Sequence, residues 1–213
     1  SRFAQPHGYL TTYAFSSSEE ERLELIERYV QSSSIHGLIL LSVRRGDRCV
    51  EYLARAGFPF AVIGRPEHPG DVLWVDNDNF HAMYDVVNRL IEGGARRIAF
   101  LGGPARMNVT RDRLEGYRMA LANRGIELVS ESVSYAPEFT ESGGYRAMAA
   151  VLAWSVPDAF VATDDLLALG ALKALADRGI EHVPCVGFNN SRAARDHTPG
   201  LSSVAMRPDE LGR

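Results

Sequence analysis

Lysine and cysteine are almost missing from this 213-residue chain, and neither sign of charge is in large excess. Its 23 basic side chains stand against 27 acidic ones, a net charge of -4 at pH 7. A fragment whose whole surface binds nucleic acid or anionic membrane carries the opposite sign, so any DNA contact is expected from residues outside the chain. Cys49 and Cys185 are the two cysteines and lie far apart, which gives no disulfide framework and no thiolate zinc site. They read as buried thiols. No apolar run approaches the roughly 18 to 20 residues that span a bilayer, and dense stretches such as Gly37-Leu38-Ile39-Leu40-Leu41 are of strand length. His7, His36, His68, His81, His182 and His197 show no metal-binding i, i+4 spacing, and the serines lack a nucleophile elbow. There is no G-x-G-x-x-G fingerprint and no P-loop, so the sequence calls for no cofactor, no metal and no catalytic residue. The first residues, Ser1 to Gln5, have no charged and apolar leader pattern, which favours the cytoplasm.

With 46% hydrophobic and 23% charged residues, the chain can bury a substantial core. Strand-like runs alternate with amphipathic helical windows almost from end to end, the pattern of a parallel α/β sheet. Strands are expected at Gly8–Phe15, Leu38–Leu41, Phe60–Ile63 and Leu73–Val75, with helices opening at Ser18 and running around Val50–Ala56. Asp76-Asn77-Asp78 supplies the cap of a long helix that Gly93-Gly94 ends. A second series follows: strand Ile98–Leu101, helix Arg111–Asn123, strand Val133–Tyr135, helix Ser142–Ala153, strand Ala159–Ala162, helix Leu166–Ala176 and strand Pro184–Gly187. Two such series predict two lobes with a crossover near Arg65–Val75, where Pro66, Pro69 and Gly70 cluster. The expected division is 1–75, 76–204 and a return over 205–213, where a helix begins near Leu211. No complete strand precedes Gly8, so the chain reads as an internal part of a longer protein.

Open parallel sheets bind ligands outside the carboxyl ends of their strands, which directs attention to four loops. Gly102-Gly103-Pro104 lets a backbone approach a ligand closely, although alone it is most simply a tight turn. Arg111 and Arg113 stand at the start of a helix, where a guanidinium fork can donate paired hydrogen bonds to vicinal hydroxyls or a carboxylate. A solvated first turn paired with Asp112 would use the same residues. Of Asp164 and Asp165, one carboxylate can cap the following helix and leave the other to accept ligand hydroxyls. Asn189-Asn190 follows a strand, where an amide can both donate and accept, or simply turn the chain. Phe139 and Trp74 are possible stacking platforms or core residues.

The order of these pieces is informative. Ala95-Arg96-Arg97-Ile98-Ala99-Phe100-Leu101-Gly102-Gly103, Arg111 to Tyr117, Asp164 to Leu172 and Val186 to Asn190 come in one series, closed by Thr198 to Val204. That series resembles the effector-binding region of the lactose/galactose repressor (LacI/GalR) family of bacterial transcription regulators. Gly64-Arg65-Pro66, Val75 to Asn79 and Val109 to Arg113 look most like its maltose-operon repressor branch.

The resemblance implies a periplasmic-binding-protein-like α/β fold of two doubly wound lobes with a small effector in the cleft, a homodimer, and an operator-reading helix-turn-helix upstream. By the same likeness Arg113 matches the effector-binding arginine and Phe139 the aromatic wall. Asp164 stands where the family usually has Asn, and Asn189 where it often has Asp, so the charge is moved and the effector is not copied from a relative. Gly179 to Pro184 is shorter than the usual connection. The function implied is a ligand-responsive repressor with a sugar or oligosaccharide effector held by Arg113, Asp164, Asn189, Phe139, Arg111 and Trp74. Loss of Arg113 is expected to abolish the response and spare folding. A periplasmic sugar-binding protein of a transporter is the alternative, and it predicts a secretory leader and a monomer.

Overall fold

The computed structural model describes residues 4–206, which form two compact units, one ending at Asp76 and the other spanning Asn77–Met206. In the first, α1 (Glu19–Ser32) starts where the sequence predicts. The Ser18 hydroxyl accepts from the Glu21 N–H at 3.0 Å, and three glutamates occupy the first turn, where the helix dipole favours them. Helix α2 (Arg48–Ala56) begins two residues before the expected Val50, because Asp47 caps it by accepting from the Cys49 and Val50 N–H groups. The same carboxylate accepts from Arg22 Nη2 at 2.7 Å and so ties α1 to α2.

Strands β1 (Leu38–Leu40), β2 (Phe60–Ile63) and β3 (Leu73–Val75) pair in parallel in that order, with Leu40, Val62 and Trp74 in register. Ile26 of α1 and Cys49, Val50 and Leu53 of α2 close over Leu40 and Val62. On the opposite face Ile39 and Leu73 remain 62% and 70% exposed, so the winding of this unit is one-sided among the described residues.

The expected strand at Gly8–Phe15 is not formed. Tyr9 to Ser17 pair with no strand among the described residues, and Leu10 and Phe15 are about nine-tenths exposed. Alternating apolar residues give a segment two faces, but its N–H and C=O groups become a strand only against a neighbouring backbone, which the pattern itself does not supply.

The second unit is wound on both faces. Five parallel strands lie in the order β5-β4-β6-β7-β8: β4 (Ile98–Gly102), β5 (Val133–Tyr135), β6 (Ala159–Ala162), β7 (Cys185–Phe188) and the two-residue β8 (Ser203–Val204). Alternate side chains of β4 and β6 point to opposite cores. Ile98, Phe100, Ala159 and Val161 meet α3 (Asn79–Glu92) and α4 (Asn108–Asn123) through Met83, Val87, Leu114 and Tyr117. Ala99, Leu101, Phe160 and Ala162 meet α5 (Glu141–Trp154) and α6 (Asp165–Ala176) through Met148, Val151, Leu167 and Ala171. Strands buried on both faces are apolar at every position, which is why these two were plain in the sequence.

Each helix pair crosses at glycine. A Cβ on Gly116 of α4 would lie 2.2 Å from the Phe80 carbonyl oxygen of α3, and one on Gly170 of α6 would lie 1.9 Å from that of Glu141 in α5. Helix α4 starts three residues before the expected Arg111, since the residue at its cap, Met107, offers no side-chain acceptor and leaves no mark in the sequence. The short helix α7 (Arg192–Asp196) and β8 carry too few residues for a periodic signal. Beyond Met206, the expected return and the helix near Leu211 lie outside the described residues.

Candidate functional site

The carboxyl ends of β4, β6 and β7 meet in the second unit, and their loops converge. After β4, the Gly103 N–H donates to Thr163 Oγ1 at 2.8 Å, joining the β4 and β6 loops. The Phe139 ring lies directly on Gly103: a Cβ there would stand 2.1 Å from its Cε1. The glycine is thus needed for close approach, and the group that approaches is an aromatic ring of the same unit. Phe139 itself is half-buried.

Arg113, on the second turn of α4, is 3% exposed. Its Nε and Nη2 both donate to Asn79 Oδ1, at 3.0 and 2.8 Å, and Nη1 donates to the Thr163 carbonyl. The guanidinium carbon sits 4.1 Å from the centre of the Phe188 ring, in the range of a cation–π contact. Both named acceptors are neutral. A solvated first turn is therefore excluded for Arg113, while Arg111 lies on the exposed side of the same helix. Burial also bears on the expectation that loss of Arg113 would spare folding. Truncation would strip Asn79 and Thr163 of a buried donor, at about 1–3 kcal/mol for each acceptor left unsatisfied.

The two aspartates divide their tasks differently from the expectation that one caps and the other is left for a ligand. Asp164 uses both oxygens within the protein: Oδ1 caps α6 by accepting from the Leu166 N–H at 2.8 Å, and Oδ2 accepts from Asn189 Nδ2 at 2.7 Å. Asp165 is fully buried and structural, accepting from the Ser191 N–H and from Ser203 Oγ, each at 2.6 Å, and so fastening the β7–α7 loop and β8 to α6. Burial pushes the Asp164 carboxyl above its ordinary range. The neighbouring Asp165 pushes the same way, and the Leu166 N–H, Arg113 and Asn189 oppose it. Asn189 is exposed and holds φ at +100°, a left-handed conformation that asparagine tolerates better than most residues.

Five of the six expected residues thus fall in the second unit, and Arg113, Asp164, Asn189 and Phe139 are linked through Thr163 and Gly103. Trp74 belongs to the first unit, on β3, with the Arg65 guanidinium carbon 5.8 Å from its ring centre. Sequence reading missed Asn79, Thr163 and Phe188. Asn79 directly follows the run Asp76-Asn77-Asp78 that reads as a helix cap, Thr163 stands at a strand's carboxyl end, and Phe188 falls in the turn after a strand. Among the described residues there is no cluster of three or more His, Cys, Asp or Glu able to hold a metal ion, and no helix long and apolar enough to cross a membrane.

The arrangement offers a fixed cationic donor, a carboxylate–amide pair that can donate and accept, and a ring, a set suited to a polyhydroxylated molecule. Residues 87–213 match the periplasmic binding protein-like domain family. The HTH-type transcriptional regulator MalR of Streptococcus pneumoniae is 34% identical over 191 residues, covering 89% of this chain and 58% of MalR. The chain thus spans little more than half of that relative. The crystal structure of a LacI transcriptional regulator from Bacillus cereus subsp. cytotoxis superposes with a TM-score of 0.95 at 36% identity, covering 99% of this chain and 76% of that one. A complex of the transcriptional regulator CelR with cellobiose superposes with a TM-score of 0.91 at 34% identity, covering 98% and 65% of the two chains. Sequence order, two-faced winding and these likenesses agree: the chain belongs to the LacI/GalR family and carries its periplasmic binding protein-like effector-binding region.

Proposed function

We propose that this chain is the effector-binding and dimerisation core of a cytoplasmic, ligand-responsive transcriptional repressor, and that its effector is an uncharged sugar or oligosaccharide. Operator DNA is read by a helix-turn-helix domain outside this chain, and the core has no enzymatic turnover. Arg113, Asp164 and Asn189 hydrogen-bond sugar hydroxyls, Phe139 packs on the apolar face of a ring, and Arg111 and Trp74 contribute further contacts. The observation that carries the reading is a buried guanidinium that donates to Asn79 and to the carbonyl of Thr163, the residue before the Asp164–Asn189 pair. The cellobiose bound to CelR supports the ligand class. HTH-type regulators among the relatives support the regulator over the transporter-delivery alternative.

Regulation requires the sugar to bind one conformation of the dimer better than another, since a ligand with equal affinity for both shifts nothing. Calorimetric titration of the full-length protein with cellobiose, maltose and glucose tests the binding. Fluorescence anisotropy with DNA from upstream of its own gene tests the control. The expected result is saturable binding of one disaccharide that changes DNA affinity. Absence of binding by all three sugars, or sugar binding with unaltered DNA affinity, would refute the proposal.

A further inference from the structure

We infer that Asn79 is a positioning residue for effector recognition: it fixes the direction in which Arg113 presents its guanidinium. The inference rests on the sugar-binding role given to Arg113 above, and the geometry that carries it is independent of the ligand. A guanidinium on a flexible side chain can point in many directions, and its use as a selective donor depends on which of them is held. Here Asn79 holds one edge of the guanidinium, beside the Nη1 bond to the Thr163 carbonyl. Asn79 Oδ1 accepts from both Nε and Nη2, the paired donors along that edge. One sp2 oxygen with two lone pairs can do this, whereas the amide nitrogen of a flipped side chain would turn donors against donors.

Asn79 is itself held. It is 3% exposed, its Nδ2 donates to the Asn77 carbonyl at 3.1 Å, and its backbone N–H donates to the same oxygen at 2.8 Å. It is the first residue of α3, after the capping Asp78. The Gly116–Phe80 crossing brings α3 and α4 into backbone contact one turn from Arg113 and one residue from Asn79, which sets the reach of the hydrogen-bonded pair.

The test uses full-length protein and two variants, Asn79→Ser and Asn79→Asp. Serine keeps a polar residue that suits a helix start, but its hydroxyl is too short to span Nε and Nη2. Aspartate keeps an acceptor of the right length. The first readout is the Arg113 Nε–H resonance in a nitrogen-15 spectrum, assigned by its disappearance in Arg113→Lys. The second is the affinity for cellobiose and maltose by calorimetry. Asn79→Ser is expected to move the Nε–H signal toward that of solvated arginines and to weaken sugar binding about tenfold. Asn79→Asp is expected to keep the signal near its wild-type position and recover affinity to within about threefold. An unmoved signal in Asn79→Ser overturns the inference, as does an equal loss of affinity in Asn79→Asp with the signal retained. A wild-type protein that binds neither sugar refutes the sugar reading and leaves the resonance to decide the positioning.

Discussion

Gly103→Ala tests the loop geometry most directly. The added Cβ would lie 2.1 Å from Phe139 Cε1 and 2.4 Å from Cζ, against an ordinary contact distance of 3.4 Å or more. The ring must therefore retreat by about 1.3 Å or tilt away, since the other partner is backbone held by the Gly103–Thr163 hydrogen bond. Overpacking of a well-filled site costs about 1–3 kcal/mol, and a half-buried ring that can yield places this case near 1–2 kcal/mol. Gly103 does not sit at positive φ, so alanine adds no backbone strain of its own. The measurement is urea unfolding of four proteins: wild type, Gly103→Ala, Phe139→Ala and the double variant. If the ring is the obstacle, Gly103→Ala costs about 1–2 kcal/mol in the wild type and within about 0.5 kcal/mol of nothing once Phe139 is alanine. The same displacement should weaken cellobiose binding in Gly103→Ala and Phe139→Ala alike, by the roughly 0.5–1.5 kcal/mol that ring stacking supplies. Equal destabilisation by Gly103→Ala in both backgrounds would refute the reasoning, because the clash would then lie elsewhere.

Three further outcomes follow from the second unit. Gly170→Ala should destabilise by about 2 kcal/mol or more in urea despite alanine's better helix propensity, because the obstructing atom is the Glu141 backbone oxygen at 1.9 Å; a neutral or stabilising result would mean that α5 and α6 part easily. Asp158 accepts from the Arg96 and Arg97 N–H groups and from the Arg97 guanidinium, which together lower its carboxyl to about 2 from 3.8. Its stabilisation is present above pH 3.8 and lost as pH falls toward 2. Asp158→Asn should therefore cost about 1 kcal/mol near neutrality and progressively less in acid, and a cost independent of pH would exclude the charge as its source. Asp164 runs the other way. Its raised carboxyl makes the folded state hold a proton more readily than the unfolded one, so its own contribution to stability is greatest below pH 3.8 and is lost as pH rises through the folded value. Asn can cap Leu166 equally well and meet a flipped Asn189 amide, so Asp164→Asn should raise the urea midpoint near neutrality. That advantage should fade below the ordinary carboxyl range, and an advantage undiminished in acid would contradict the burial argument.

What the sequence made legible, and what it did not, divides along physical lines. Local signals were read well where a single segment carries them: the apolar runs of β4 and β6, the Ser18 cap of α1, the acidic and asparagine run before α3. They failed where a second segment decides. Gly8–Phe15 has strand composition and no described partner. The start of α4 has no cap to announce it. For the candidate site, residue type, order and family likeness pointed to Arg113, Asp164, Asn189 and Phe139, which the fold places near one another. None of these could show that Arg113 is buried, or that Asp164 and not Asp165 reaches Asn189. Asn79 and Thr163, which accept from Arg113, lie 34 and 50 residues away, and the packing of α3, α4 and β6 brings them together.

The contact of Gly116 with the Phe80 backbone has an evolutionary corollary. Where two helices touch main chain to main chain, a side chain added at that point can only push them apart, so the backbone that carries Arg113 is set by that contact. Variation in what the site admits is then left to the loops after β4, β5 and β7, where Gly103, Phe139 and Asn189 reside, with the helix that bears the arginine as their fixed reference.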